Sequence, residues 1–240
     1  LFSPKIDSIG SQQQYLAYNN AFYCDTGIIN IDNGYITNQA QSFLIFNCNV
    51  TMTSTTIIAK YDAWNQYELL LAGRVYEMFS IGILCSDGAH LSLTDVDITV
   101  ELVNQTFDVD FESLSVYAVS IYADRFDQVR LPSFDMTRVR LRGQVALGLN
   151  GFTNGFMNQV SITMPPNRYR GFARAFEIGE PNLGYYGDEP SHQLIATDVT
   201  INCDEGYPGA TCLTIMSAVN IDFDRLSIWG ESNYVSSDDA

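Results

Sequence analysis

A short apolar pattern recurs along this chain and limits its fold more than any other feature. Written out, it is apolar, any, apolar, any two, Val or Leu, any, apolar. Full copies occupy residues 91–98, 109–116, 134–141, 194–201 and 221–228. Shorter copies occupy 126–131 and 157–162, and an earlier relative spans 45–52 with Val50 at the Val/Leu position. Alternate residues of a strand face one side. The two-residue skip in the middle resets that phase, as a bend or bulge does, so both halves face inward. The unit is therefore expected to be a bent strand, and a bent strand repeated along a chain is the signature of stacked coils.

Successive Val/Leu positions (96, 114, 129, 139, 160, 199 and 226) are separated by 18, 15, 10, 21, 39 and 27 residues. Steps of 18 to 27 fit one coil each, and 39 fits a coil carrying a loop. Ten residues cannot close a coil, so Val129 and Val139 are expected on different faces of one turn or in a hairpin. The first choice gives a solenoid, and the second a β-sandwich or jelly roll. The pattern resembles that of right-handed parallel β-helix proteins, the pectate-lyase-like superfamily, over residues 91–228. That resemblance implies an all-β, right-handed parallel β-helix with irregular loops. The core expected from the repeats is Leu93, Val96, Ile98, Phe111, Leu114, Val116, Met136, Val139, Leu141, Met157, Val160, Ile162, Val199, Ile201, Phe223, Leu226 and Ile228.

Composition agrees with the class. Of 240 residues 46% are hydrophobic, ample for a core, and no apolar run reaches the roughly 18 residues of a membrane span. Tyr and Phe number 14 each, and Asp outnumbers Glu by 19 to 9, favouring strands and turns over helices. Residues 60–80 are the one stretch expected as a helix, from the spacing of Tyr67, Leu70, Leu71 and Val75, and Glu68 to Leu71 could equally be a buried strand. No linker divides the chain, so residues 1–240 are read as one domain. A start at Leu1 and an end in Asp238-Asp239-Ala240 read as a processed chain or a segment of a longer one.

The net charge of -16 works against nucleic acid and anionic membranes as partners. Five cysteines form no zinc spacing. Cys203 and Cys212 flank a run of turn formers, 204–211, and are expected to form a disulfide. Cys24 and Cys48 are a second pair, one coil apart, which leaves Cys85 free or intermolecular. Two sequons, at Asn49 and Asn104, are glycosylation acceptors if the chain is secreted.

Two basic clusters are candidate binding residues. Arg130, Arg138, Arg140 and Arg142 belong to the first, together with Arg125. The last three alternate with Val139 and Leu141 and so share an outer strand face, a strip suited to the carboxylate or sulfate groups of an acidic polysaccharide. The plainer reading pairs them with carboxylates of neighbouring rungs, Asp97 among them. The second cluster, Arg168, Arg170 and Arg174, lies on a long insertion with Tyr185 and Tyr186, a mixture that fits a sugar-binding edge or a buried satellite core.

Catalytic material is sparse. A polygalacturonase-type enzyme implies Asn-x-Asp, Asp-Asp, Gly-His-Gly and Arg-x-Lys. Here Asn30-Ile31-Asp32 and Asn220-Ile221-Asp222 match the first alone, and Gly88-Ala89-His90 departs from the third. Asp95 with Asp97, or Asp222 with Asp224, could hold calcium, though outward carboxylates on strands are usually only solvated. Only His90 and His192 are present, and no cofactor fingerprint occurs. The reading is an extracellular, non-catalytic β-solenoid segment of a surface or appendage protein, adhesive or structural. Its expected partners are carbohydrate or neighbouring copies of itself, with no metal or cofactor. The alternatives are a lyase or glycoside hydrolase acting on acidic glycans, and a viral capsid or spike module.

Overall fold

The computed structural model describes residues 5–8, 20–38, 41–62, 78–86, 88–103, 114–122, 131–143, 145–164, 174–179, 193–203, 211–215, 220–230 and 235–237. Among them are strands and no helix, and every strand pairing is parallel. A jelly roll or sandwich is built on antiparallel neighbours, so that alternative gives way to a curled, all-parallel arrangement compatible with a solenoid.

Two sheets share the chain in alternation. The larger is folded lengthwise into two arms. Its first arm contains β3 (Gly27–Asp32), β6 (Cys48–Thr53), β9 (His90–Thr94) and β12 (Ser133–Thr137). Its second contains β1 (Lys5–Ser8), β4 (Tyr35–Asn38), β7 (Thr56–Asp62), β10 (Asp97–Val103) and β13 (Arg140–Arg142). Three longer strands, β15 (Asn154–Thr163), β17 (Gln193–Asn202) and β19 (Asn220–Trp229), run through both arms. Thus β15 pairs with β12 along its first half and with β13 along its second.

The other sheet stacks β2 (Asn20–Cys24), β5 (Gln41–Phe46), β8 (Met78–Ser86), β11 (Leu114–Tyr122), β14 (Val145–Asn150), β16 (Arg174–Ile178), β18 (Thr211–Ile215) and β20 (Val235–Ser237). Each course therefore passes from the second sheet through the first arm and round the corner to the second arm. It then returns one strand further along.

The corner explains the phase reset in the sequence. Residues Asn33, Ser54, Asp95, Arg138, Gln159, Asp198 and Arg225 all have positive φ, between 48° and 61°. Each sits one residue before the inward position filled by Gly34, Thr55, Val96, Val139, Val160, Val199 and Leu226. A single left-handed residue turns the strand while keeping apolar side chains inward on both arms, at a cost of about 1–2 kcal/mol each. Backbone ladders continue through the bend. Asp95 N donates to Thr137 O at 3.0 Å, and Asp97 N donates to Thr55 O at 2.9 Å.

The core consists of columns in register. Leu93, Met136, Met157 and Ala196 stack on the first arm, while Ile98, Leu141, Ile162 and Ile201 stack on the second. Val160 and Val199 stack behind the corner. Opposite them, Phe43, Ile83, Val119, Leu147, Phe176 and Leu213 form a buried column of the second sheet. Within that sheet β14 is buried on both faces throughout its length. Gly148 there lies under the Tyr117 ring, where an added Cβ would come within 2.7 Å of it.

Several sequence expectations need correction. Phe223, Leu226 and Ile228 are only half-buried, because among the described residues no strand pairs with the far side of β19. Leu114 opens β11 in the second sheet and holds no corner, and the course from Val96 closes at Val139. That separation equals the 43 residues between the corner residues Asp95 and Arg138. Likewise residues 45–52 cross from β5 into β6, and the corner position of that course is Thr55. Lys60 to Asp62 end β7 as strand. The rest of the 63–77 segment, Phe111, Val129 and residues 126–130 lie outside the described residues, as do the side chains of Leu114 and Val116.

Candidate functional site

Of the Arg-rich stretch, Arg138 falls on the corner and Arg140 and Arg142 on the second arm. Arg138 donates from Nε and Nη2 to the two oxygens of Asp95, at 2.6 and 2.7 Å. Arg140 grips Asp97 in the same two-pronged way, and Arg225 grips Asp198. Hydrogen bonding to the guanidinium holds the carboxyls of Asp95 and Asp198 below the usual range and raises the Arg values. All these groups are substantially exposed, so each pair by itself stabilises little. Their forks are nevertheless occupied by carboxylates of the neighbouring course, in the manner of the plainer sequence reading. Arg142 is exposed on β13 and is also engaged.

Arg174 lies on β16 with Nη1 3.0 Å from Glu177 Oε1, the carboxylate side chain being 6% exposed. Arg130, Arg168, Arg170, Tyr185, Tyr186 and Asn104 lie outside the described residues. Asn49 and Thr51 point outward from β6 on either side of the buried Val50, which leaves that sequon accessible on a strand face. Asn30 and Asp32 on β3, and Asn220 and Asp222 on β19, are exposed near opposite ends of the stack. Among the described residues no three of His, Cys, Asp and Glu form a metal-ligating group.

The two expected disulfides are present. Cys24 and Cys48 are bonded with Cα atoms 6.2 Å apart, and Cys203 and Cys212 with Cα atoms 5.8 Å apart. Cys85 is a free, buried thiol whose pKa burial pushes up to about 12. Two disulfides point to an oxidising compartment.

The outer face of the first arm differs in chemistry. Among the described residues it carries no Lys or Arg. Across β6, β9 and β12 its outward columns are polar, as in Thr51, Ser92 and Asp135, or Thr53, Thr94 and Thr137. One cluster bridges β9 and β12. His90 Nδ1 and Ser133 Oγ share a hydrogen bond at 2.9 Å, and His90 Nε2 lies 3.4 Å from Asp135 Oδ2. Serine, histidine and aspartate thus touch in sequence. The Ser133 N–H, however, donates to Ala89 O at 2.9 Å, so the backbone donor beside the hydroxyl is committed to the ladder. Acyl transfer needs such donors aimed at a developing oxyanion. Next to the cluster Phe156 on β15 and Ile195 on β17 are exposed and directly paired.

The sequence pattern alone singles out neither Ser133 nor Asp135 and gives His90 no role. The signal was present: His90 and Ser133 each precede the first apolar residue of a copy, and Ser92 and Asp135 each follow it. Copies in register place those pairs side by side. The courses at Gly34 and Thr55 were missed because neither residue is Val or Leu. Thr55 is tolerated inside because its hydroxyl donates to Thr53 O at 2.9 Å. No protein-family model, curated protein or solved structure matches this chain.

Proposed function

We propose that the chain is a right-handed parallel β-helix segment of an extracellular surface or appendage protein, with a non-catalytic adhesive or structural role. The observation that carries this reading is the stack of parallel courses joined by a disulfide near each end, Cys24–Cys48 and Cys203–Cys212. Cross-links of this kind persist outside reducing compartments. A stack held by backbone ladders presents its outward columns at fixed spacing, which suits a spacer or an adhesive face. The polar first-arm face supplies hydroxyl, amide and carboxylate groups for contact with carbohydrate.

The test labels intact cells or particles of the native source with a membrane-impermeant amine or carboxyl reagent, then recovers the chain by mass spectrometry. Labelling without permeabilisation is the expected result, and labelling only after lysis overturns the surface assignment. Incubation of the folded protein with acidic glycans tests the non-catalytic role. Release of reducing or unsaturated ends overturns it.

A further inference from the structure

Among the described residues, one place brings large exposed apolar side chains together on adjoining strands. Phe156 and Ile195 are paired across β15 and β17, 39% and 40% exposed, on the outer face of the first arm. Beneath them the wall is tightly packed. Gly155 leaves room for the buried Phe134 ring, since a Cβ there would stand 2.4 Å from Phe134 Cζ. Phe134 in turn meets Phe152 with centroids 5.5 Å apart. The exposed pair is thus an apolar step on a rigid base.

The rim of that step is polar and acidic. Within the same outward column Asp135 lies on the β12 side and Asp222 on the β19 side, both exposed. The adjoining column contributes the exposed amides of Asn154 and Gln193. The described arginines all lie elsewhere, on the corner, the second arm or the second sheet. An aromatic ring takes the C–H face of a sugar, carboxylates accept from hydroxyl groups, and amides both donate and accept. The carboxylates of Asp222 and of Asp135, which has the His90 ring 3.4 Å away, place negative charge beside the step that repels uronate or sulfate.

We propose that this step, centred on Phe156 and Ile195 with Asp135 and Asn154 beside it, binds a neutral polysaccharide. The proposal rests on the surface-protein reading for its biological setting and identifies the ligand class by charge. The ring of one sugar stacks on Phe156, and its hydroxyls are held by Asp135 and the neighbouring amides. An acidic glycan is excluded here by Asp135 and Asp222.

The test titrates the disulfide-intact chain with neutral hexaoses of glucose, of mannose and of galactose, and separately with polygalacturonate, by calorimetry. Saturable binding of at least one neutral series is expected, with no binding of polygalacturonate. Phe156→Ala should weaken it about tenfold, in line with loss of one aromatic contact. Asp135→Asn should also weaken it, whereas Arg140→Ala on the other arm leaves it unchanged. Phe156 is exposed, so its variant should melt like the parent protein. If it does not, Ile195→Asn tests the same step. Three outcomes overturn the proposal: no neutral series binds, binding is indifferent to both step variants, or polygalacturonate is preferred. Self-association that disappears in Phe156→Ala overturns it too, because the step is then an interface between copies. Surface labelling judges the wider reading independently, so labelled protein without neutral-glycan binding rejects this site alone.

Discussion

Arg138 stands one course beyond Asp95 at the corner of the stack and holds both of its carboxylate oxygens, at 2.6 and 2.7 Å. Both residues have left-handed backbone, at φ 53° and 55°. The pair thus clasps two strained positions in adjacent courses. Because Asp95 titrates below the ordinary carboxylate range in the folded state, its contribution is present above about pH 4. It is lost as pH falls through the lower folded value. Asp95→Asn should therefore reduce stability at neutral pH and flatten its decline below about pH 4, read by denaturant melts across pH. The exposed pair should also weaken as salt is raised.

Truncation in the core should cost most where a column is closed on both sides. Val139→Ala and Val199→Ala, at fully buried positions, should each lose about 1–3 kcal/mol of unfolding free energy. Leu226→Ala on half-buried β19 should cost less than Leu141→Ala, although both belong to the same kind of copy. Equal losses in chemical denaturation would contradict the burial gradient.

Gly82 lies against backbone: an added Cβ would stand 2.5 Å from Ala118 O and 2.9 Å from Ile98 Cγ2. A carbonyl in a parallel ladder cannot move aside as a side chain can. Gly82→Ala should destabilise by about 1–3 kcal/mol through overpacking, measured as a shifted denaturation midpoint with unchanged slope.

Reduction should loosen the chain near the ends of the stack. The Cys203–Cys212 bridge closes a loop with sequence separation 9, and such a loop contributes roughly 2–3 kcal/mol by the chain-entropy argument. Non-reducing peptide mapping should recover 203 linked to 212 and 24 linked to 48. Separate, alkylatable peptides for these cysteines would refute the pairings.

Cys85 is buried with its thiol pushed up to about 12, so its thiolate is scarce in the folded protein. Iodoacetamide at pH 8 should leave it unmodified until denaturant is added, which mass spectrometry can follow. Rapid alkylation of the folded chain would show that the second sheet is open at that point.

The inward columns and the bend between the two arms were readable in the sequence, because alternation and a two-residue skip are local properties. Leu93, Val96 and Ile98 announce their direction within six residues. The disulfide pairs were readable too, from a turn-rich run between Cys203 and Cys212 and from coil-like spacing between Cys24 and Cys48. Which copy stacks on which was not. Loops of very different length separate the courses, so Asp95 meets Arg138 across 43 residues while Asp198 meets Arg225 across 27. A variable loop erases any fixed period, and Leu114 could therefore mimic a corner while belonging to the second sheet.

The fate of the arginines depended on the same register. Arg138 and Arg140 can be read as part of a free basic strip until the preceding course brings Asp95 and Asp97 beside them. The contact of His90 with Ser133 and Asp135, and of Phe156 with Ile195, likewise exists only between strands. Local sequence determined which way each side chain points. The tertiary stack decided its neighbours, because parallel strands pair residues by course and not by distance along the chain.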